Sequence, residues 1–350
     1  MDDPTISEGL GFPKFVRNYI QNDGDVDSIE KEEEFIKFKK SIQDGRLKSA
    51  SSPSYFIMTI NMNSSEPKVP EKRRKFLSII MRSFFSSIIF CQELPGYFEK
   101  EVVKKCGTLG YSYVKNGNQS AVLWLKEDFD GKTEDLETTS TEIQRIRDKL
   151  GRDASELLSR ITMVKLTSKK SREISVLAVS WHGPHQTSDH VKRLVLECLF
   201  NFLDRVIEEK KISSYIIGAD FNLNSLDVEL PNGAMVSNYE LSPRQTKSEE
   251  KSKRYIPHKD NFMWFPKNNL TVSDVRPFLF EDNGTTTSDF TQDEHDTVSS
   301  AMAVATSTPT NPTALLDHDP IIGVLQFTAS SNTVKNLSKD FESVGIADSK

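Results

Sequence analysis

Short apolar runs alternate with polar stretches through most of the chain from Tyr55 onward. Polar or turn-forming residues bound each run, a pattern typical of buried strands. The runs that predict strands are YFIMTI, SIIFCQE, SAVLWLKE, ITMVKLTS, ISVLAVSWH, SYIIGADFN, NFMWFP, LTVSDV and DPIIGVLQF. We therefore expect a domain that is rich in β-sheet.

Between these runs, one segment has clear helical periodicity. Residues 189–210 carry apolar side chains at helical spacing, at Val191, Leu194, Val195, Cys198, Leu199, Phe202, Val206 and Ile207. Candidate N-cap residues precede them at Thr187, Ser188 and Asp189. Residues 72–85 and 140–158 also predict helices. The mixture of strands and helices indicates the α/β class.

Changes in polarity divide the chain into one domain and its appendages. Residues 1–52 are polar and charged, with one helical stretch around EKEEEFIKFKKSI, and we interpret them as an N-terminal appendage. The domain spans residues 53–329 and carries polar insertions near 225–257 and 281–314, which predict long surface loops. Residues 330–350 form a polar tail.

Composition narrows the class of protein. Of 350 residues, 36% are hydrophobic and 27% are charged, a balance typical of a soluble globular chain. No apolar run approaches the length of a membrane span. A net charge of −6 argues against a generic basic coat for nucleic acid. The run EKRRKF, residues 71–76, is a candidate basic surface, although an exposed helix face is its commoner role.

The termini and the cysteines point to the same compartment. The N-terminus, MDDPTISEGLG, is acidic where a signal peptide is basic and then apolar, so we expect an intracellular protein, cytoplasmic or nuclear. Cys91, Cys106 and Cys198 are an odd number without CxxC spacing. Reduced, packed thiols are therefore expected, and neither a disulfide nor a zinc site is.

Polar residues of similar chemistry stand at the ends of the strand-like runs. They are Asn61, Gln92, Glu93, His182, Asp220, Asn222, Asp260, Asp317 and His318. Loops at one end of a layered sheet often carry the chemistry of a protein, so we expect these side chains to converge. Carboxylate and amide oxygens are the ligands that a hard divalent cation such as Mg²⁺ prefers, and no thiol stands near them in sequence.

Six of these motifs, in order, carry a family resemblance. MTINMN, FCQE, SWHGP, GADFN, HKDNF and LDHDPI together resemble the endonuclease/exonuclease/phosphatase superfamily, which includes deoxyribonuclease I. The resemblance covers roughly residues 54–328 and depends on the order of the motifs, since each alone is weak. It implies a four-layer α/β/β/α sandwich with two central, mostly antiparallel sheets.

The resemblance also implies a role for each matched residue. Asn61, Glu93 and Asp317 form the metal site, with Glu93 as the principal ligand, for Mg²⁺ or Mn²⁺ as a substitute. The implied catalytic residues are Asp220, which activates or positions water, Asn222 and His182, which hold the phosphate, and His318, which Asp260 orients. Whether His318 is a base or a charge stabiliser stays open. For Asp319, His185, His190, His258 and His295, a structural or solvated role is the commoner one.

One position departs from the family pattern. The nuclease branches usually place a phosphate-contacting Tyr at the start of the strand in NQSAVLWL, where this chain has Asn118, or a neighbour if the alignment shifts by one residue. An amide also donates a hydrogen bond, so Asn118 remains a candidate substrate-binding residue. The departure puts the choice of substrate in doubt.

Three functional readings remain open. The leading one is a metal-dependent phosphoester hydrolase, a nuclease or related phosphodiesterase whose partner is nucleic acid or another phosphodiester. A small-molecule or lipid phosphatase is the second, although IIGADFNLN and HKDNFMWF differ from the runs usual in the inositol-phosphatase branch. Phe221 stands where the tyrosyl-DNA phosphodiesterase branch usually has Thr. The third is a catalytically silent binding module on the same fold.

Overall fold

A computed structural model of the protein describes residues 28, 31–33, 36–37, 53–63, 86–133, 140–171, 174–241, 256–267, 270–277 and 319–327. Several regions discussed above lie outside the described residues. They are 64–85 with its expected helix and basic run, most of the 1–52 appendage, 242–255 of the first insertion, 281–314 with His295, the tail 330–350, and Asp317 with His318. The domain boundaries stay a prediction.

In the described residues, twelve strands form two sheets of six. Sheet A contains β1 (Ser54–Asn61), β2 (Ile88–Gln92), β3 (Tyr111–Asn116), β4 (Ser120–Leu125), β11 (Leu270–Pro277) and β12 (Ile321–Phe327). Sheet B contains β5 (Phe129–Lys132), β6 (Ile161–Ser168), β7 (Ser175–His182), β8 (Ser214–Asp220), β9 (Met235–Val236) and β10 (Asp260–Trp264). The predicted strand-rich α/β architecture is confirmed.

The two sheets have corresponding strand arrangements. Sheet A follows the order β11-β12-β1-β2-β4-β3, and sheet B the order β5-β6-β7-β8-β10-β9. In sheet A only β1 and β2 are parallel, and in sheet B only β7 and β8. Every other pair is antiparallel, so both sheets are mostly antiparallel, as the resemblance implies. Each sheet therefore has one parallel pair near its centre.

Helices cover the outer face of sheet B. They are α2 (Ser140–Leu150), α3 (Ala154–Leu158) and the 21-residue α4 (Asp189–Glu209). Helix α4 matches the periodicity of the sequence closely. Ser188 is its N-cap, because the Ser188 side chain accepts a hydrogen bond from the Val191 amide. On sheet A, a π-helical segment, Phe98–Val103, leads into α1 (Lys104–Thr108), and the Phe98 ring packs against Tyr113 of β3.

Two hydrophobic clusters are seen among the described residues. Buried residues of α2, α3 and α4 pack on sheet B, among them Leu199 and Trp181. A second cluster, which includes Phe90 and Phe262, fills the space between the sheets. There Gly218 of β8 faces Phe90 so closely that an added Cβ would overlap the ring. Both sheets therefore contribute to one continuous sandwich.

Polar contacts also join the two sheets inside this core. Gln92 of β2 donates from Nε2 to Ser180 Oγ and to the Gly218 carbonyl oxygen, both at 3.0 Å. Ser180 in turn donates to the Cys91 carbonyl oxygen at 2.8 Å. Gln92 is fully buried, and these bonds satisfy its amide. The sequence places Gln92 among candidate functional residues, whereas the structure gives it a role in joining the sheets.

The cysteines behave as the sequence predicts. Cys91, Cys106 and Cys198 all lie among the described residues, are buried and form no disulfide. Burial raises the pKa of the Cys91 thiol well above its usual value, so this thiol stays protonated and unreactive. In the described part of the chain, no helix has both the length and the apolar character needed to cross a bilayer.

Candidate active site

Four polar residues stand where the parallel strands end. Asn61 closes β1 opposite Gln92 in the register of sheet A, and Glu93 follows directly. In sheet B, His182 closes β7 opposite Asp220, the last residue of β8. Because the strands of each pair run the same way, their carboxyl ends lie at one edge of the sandwich. The two sheets thus supply two halves of one site.

The Asn61 amide connects these halves. Its Nδ2 donates to Glu93 Oε1 and to Asp220 Oδ2, each at 3.0 Å. Its Oδ1 accepts a hydrogen bond from the Asn63 backbone at 2.8 Å. A carbonyl oxygen has two lone pairs, so Oδ1 retains a second acceptor direction. Asn61 therefore holds two carboxylates side by side, which repel each other without a donor or a cation between them.

Glu93 is placed by an unusual backbone conformation. Its φ is 50°, in the left-handed region that residues other than glycine seldom adopt. The Glu93 amide donates to the Gln119 carbonyl oxygen at 3.0 Å, which ties the end of β2 to the β3–β4 turn. The Glu93 side chain is 28% exposed. The strained turn thus directs a solvent-accessible carboxylate into the site.

His182 lies between hydrogen-bonding groups from three segments. Its Nδ1 is 3.0 Å from Gln119 Oε1 and 3.5 Å from Arg160 Nη1. Gln119 Oε1 only accepts and Arg160 Nη1 only donates, so these two contacts need opposite states of Nδ1; the shorter contact, to Gln119, favours a proton on Nδ1. Nε2 faces Glu93 Oε1 at 3.4 Å. Burial lowers the pKa of His182, while the Asp220 and Glu93 carboxylates oppose that shift.

The segment 220–222 is fixed by its own backbone. The Asn222 amide donates to Asp220 Oδ1 at 3.0 Å, and Asn222 Nδ2 donates to the Gly183 carbonyl oxygen at 2.9 Å. The Gly183 amide donates to the Asp220 carbonyl oxygen at 2.7 Å. An added Cβ at Gly183 would lie 2.5 Å from the Phe221 oxygen, so only glycine permits this approach. Both carboxylate oxygens of Asp220 therefore accept hydrogen bonds.

Asp260 borders the same site. It is buried and pairs with Asp220 in the register of β8 and β10. Its carbonyl oxygen accepts a hydrogen bond from Tyr239 Oη at 2.6 Å. The partner expected for it, His318, lies outside the described residues, as does the expected ligand Asp317. Orientation of His318 by Asp260 and ligation by Asp317 stay predictions.

Asn118 occupies the exposed β3–β4 turn, and its carbonyl oxygen accepts from the Leu94 amide at 2.9 Å. The side chain that reaches into the site from this turn is that of the next residue, Gln119. Substrate binding by Asn118 stays a prediction, and a one-residue shift at this position agrees with the placement of Gln119.

The side chains present fit a divalent cation. Glu93, His182 and Asp220 each offer an atom, and these atoms lie within 4.8 Å of one another. Asn61 faces both carboxylates with Nδ2, while its Oδ1 accepts from the Asn63 backbone. Its amide would have to turn over to present an oxygen ligand to a cation. Two carboxylates with one imidazole and no thiol are compatible with Mg²⁺ or Mn²⁺ and do not form the thiolate site of a structural zinc. Glu93 and Asn61, both expected as ligands, are thus found together.

Three residues at the site have no signal in the sequence motifs. They are Gln119 and Arg160, which contact His182, and Lys192, which donates to the Asn222 carbonyl oxygen. Arg160 directly precedes β6, and its Nε pairs with Glu156 of α3 at 3.1 Å. Only Lys192 could have been noticed from the helical periodicity, because it is a charged residue at a position of α4 where an apolar one is expected.

Solved structures share this architecture, although the sequence matches no protein-family model and no curated protein. An endonuclease/exonuclease/phosphatase family protein from Bacteroides thetaiotaomicron aligns with a TM-score of 0.51 at 13% identity, over 79% of this chain and 98% of that one. The human Nocturnin catalytic domain aligns with a TM-score of 0.49 at 14% identity, over 79% and 94%. D. rerio TDP2 complexed with a single-strand DNA product aligns with a TM-score of 0.47 at 13% sequence identity, over 78% of this chain and 98% of that one.

The chain has the endonuclease/exonuclease/phosphatase fold. The resemblance seen in its motifs is thereby confirmed at the level of the fold. At these sequence identities the structural likeness shows the fold alone. The activity depends on the side chains that this chain places at the site.

Proposed function

We propose that this protein is a divalent-metal-dependent phosphoester hydrolase, a nuclease or related phosphodiesterase. One observation carries the proposal. Glu93 from one sheet and His182 with Asp220 from the other bring their side-chain atoms within 4.8 Å of one another, with Asn61 bonded to both carboxylates. A cluster of acids with an imidazole at a strand-end edge is a suitable site for hydrolytic chemistry.

We assign roles to Asp220, Asn222 and His182 from their contacts, and the role of His318 from the family resemblance. The Asp220 carboxylate, held by the Asn61 and Asn222 amides, orients a water molecule and accepts its proton. Asn222 Nδ2 has a second N–H beyond the one that Gly183 accepts, and it donates this N–H to a phosphate oxygen as negative charge develops. His182 donates from Nε2 in its imidazolium form, which the Asp220 and Glu93 carboxylates favour. His318, the residue before Asp319, acts beside the same phosphate.

Glu93, with Asn61 and Asp317, would hold the metal. A bound Mg²⁺ supplies neutralisation of phosphate charge and a lower pKa for coordinated water. The residues of the chain do the rest: they fix the carboxylates, orient the imidazole and present amide donors. This division of roles requires Asp220 and His318 for turnover but not for folding.

The test is hydrolysis of a substrate panel in the presence of Mg²⁺. The panel contains single- and double-stranded DNA, RNA, small phosphodiesters and phosphomonoesters. We expect cleavage of a diester class, and we expect Asp220→Asn and His318→Ala each to abolish it while circular dichroism stays unchanged. Loss of a catalytic group of this kind lowers rates by about 10² to 10⁴.

Asp130→Asn is the matched control. Asp130 lies on β5, where its exposed carboxylate pairs with Lys169 at 3.2 Å. The same chemical change there should leave turnover intact. Retained turnover in Asp220→Asn or in His318→Ala would refute that residue's role. Cleavage of monoesters alone would favour a phosphatase, and a folded, metal-supplied chain that cleaves nothing would favour a binding module.

A further inference from the structure

A lysine is buried beside the site. Lys192 lies in the first turn of α4, and its side chain is only 7% exposed. Its neighbours on the buried face of this helix include Val195, Leu196 and Leu199. Burial of an ammonium group costs free energy unless the group has hydrogen-bond acceptors. The contacts of Lys192 therefore show which acceptors stabilise its buried charge.

The buried ammonium binds one backbone oxygen of the candidate site. Lys192 Nζ donates to the Asn222 carbonyl oxygen at 2.9 Å. Its other partner, Asp189 Oδ1, lies 3.3 Å away on a side chain that is 79% exposed. An exposed carboxylate is screened by water and contributes little. The bond to Asn222 is therefore the main interaction of the buried end of Lys192.

Asn222 needs such a contact because its backbone is strained. Its φ is 53°, in the left-handed region, which costs free energy for a residue with a Cβ even though Asn tolerates it better than most. That conformation lets the Asn222 amide reach Asp220 Oδ1 and its side chain reach the Gly183 oxygen. If the Asn222 backbone left the left-handed region, its hydrogen bonds to Asp220 and to Gly183 would both be lost or lengthened.

We propose that Lys192 is a positioning residue that holds Asn222 in its left-handed conformation and thereby fixes the Asp220 carboxylate and the Asn222 amide for hydrolysis. The proposal rests on the proposed function and deepens it. Lys192 acts through the carbonyl of Asn222 from beneath the site. Its charge also makes this carbonyl a stronger acceptor than a neutral donor would.

The experiment compares Lys192→Met with Lys192→Arg, and with Arg193→Met as the matched control. Arg193 is the next residue of α4, is exposed, and donates to a carbonyl oxygen of the same loop, that of Asp227, at 2.7 Å. The readouts are kcat and KM on the substrate that the wild-type chain cleaves, and amide hydrogen exchange of residues 221–224.

We expect Lys192→Met to lower kcat on the order of 10- to 100-fold with little change in KM, because misplacement of catalytic groups affects the chemical step. Exchange of the 221–224 amides should accelerate while the strands of sheet B stay protected. Lys192→Arg should restore part of kcat, and Arg193→Met should match the wild-type chain. If Lys192→Met does not fold, Lys192→Gln replaces it with a shorter neutral donor.

Three results would overturn the role of Lys192. They are unchanged kcat in the folded variant, unchanged exchange at 221–224, and faster exchange spread evenly over the whole sheet, which would show a general structural role. A wild-type chain that hydrolyses nothing would refute the proposed function instead. In that case the local exchange rates alone decide whether Lys192 holds the Asn222 backbone.

Discussion

At the scale of single residues, the imidazole of His182 is held by an amide from the other sheet. Gln119 Oε1 accepts from Nδ1 at 3.0 Å, which leaves Nε2 directed toward Glu93. In a functional histidine, the hydrogen bond made by one ring nitrogen fixes the orientation of the imidazole and decides which nitrogen carries the proton. A neutral amide does so without adding another negative charge beside Glu93 and Asp220.

This contact predicts that Gln119→Leu impairs turnover without unfolding the protein. Loss of one hydrogen bond to the imidazole costs about 1–1.5 kcal/mol, which corresponds to roughly a 5- to 10-fold lower kcat. The measurement is steady-state hydrolysis beside Gln144→Leu. Gln144 donates an exposed hydrogen bond from Nε2 to Asp148 at 2.7 Å, within α2 and outside the site, so its removal should be neutral. Full activity in Gln119→Leu would show that His182 needs no such support.

The sequence predicted the site residues that follow strands and missed those that support them. Asn61, Glu93, His182 and Asp220 stand at the ends of apolar runs, so their convergence follows from strand direction alone. Gln119 meets His182 across 63 positions of the chain. The packing of the two sheets decides which residue of a turn reaches the other sheet. This packing leaves no local pattern in the sequence.

At the scale of elements, the strands near the sheet centres were predictable, whereas three edge strands, β3, β5 and β9, were not. The short β9 (Met235–Val236) lies in the 225–257 insertion, where we expected a surface loop. Strands β2, β4 and β8 are buried at every position and therefore read as continuous apolar runs. Strand β3 is largely half-exposed, and the short β5 contains Asp130, Gly131 and Lys132. Edge strands bury less surface, so they leave a weaker pattern in the sequence.

The close approach of β8 to β2 gives a prediction at this scale. A methyl group at Gly218 would overlap the Phe90 ring, and overpacking of a core costs about 1–3 kcal/mol. We expect Gly218→Ala to lower the free energy of unfolding by this amount in urea denaturation.

Gly96→Ala is the control for the Gly218 substitution, because no atom lies within 4 Å of an added Cβ at Gly96. It should be neutral. In Phe90→Leu, the second substitution Gly218→Ala should cost less than it does alone, since the ring it meets is gone. Equal costs in both backgrounds would show that Phe90 is not the source of the strain.

At the scale of the whole molecule, a cation held by Glu93 and Asn61 would bind side chains that only the folded sheet A brings together. Ligand binding to the folded state alone raises stability by about 2.7 kcal/mol at a concentration 100 times Kd. We therefore predict that Mg²⁺ raises the Tm of the wild-type chain and that a chelator reverses the rise. Glu93→Gln should abolish this response.

The control for the metal response is Glu99→Gln. Glu99 is an exposed glutamate bonded to Lys115 and Tyr113 on sheet A, and hydrogen bonds from these side chains lower the pKa of its carboxyl group. Its substitution should leave the Mg²⁺-induced rise in Tm intact. An equal rise in Glu93→Gln and wild type would place the cation elsewhere.

The position of β12 in sheet A has a consequence for biosynthesis. This strand lies between β11 and β1 and pairs with β1 from Ser54 to Thr59, although the ribosome makes it more than 250 residues later. Until residues 321–327 have emerged, β1 lacks one of its two neighbours, and Asn61 at its end is not yet fixed. A nascent chain would therefore carry an incomplete site, and the hydrolase we propose would become active only once β12 has been made and has paired with β1.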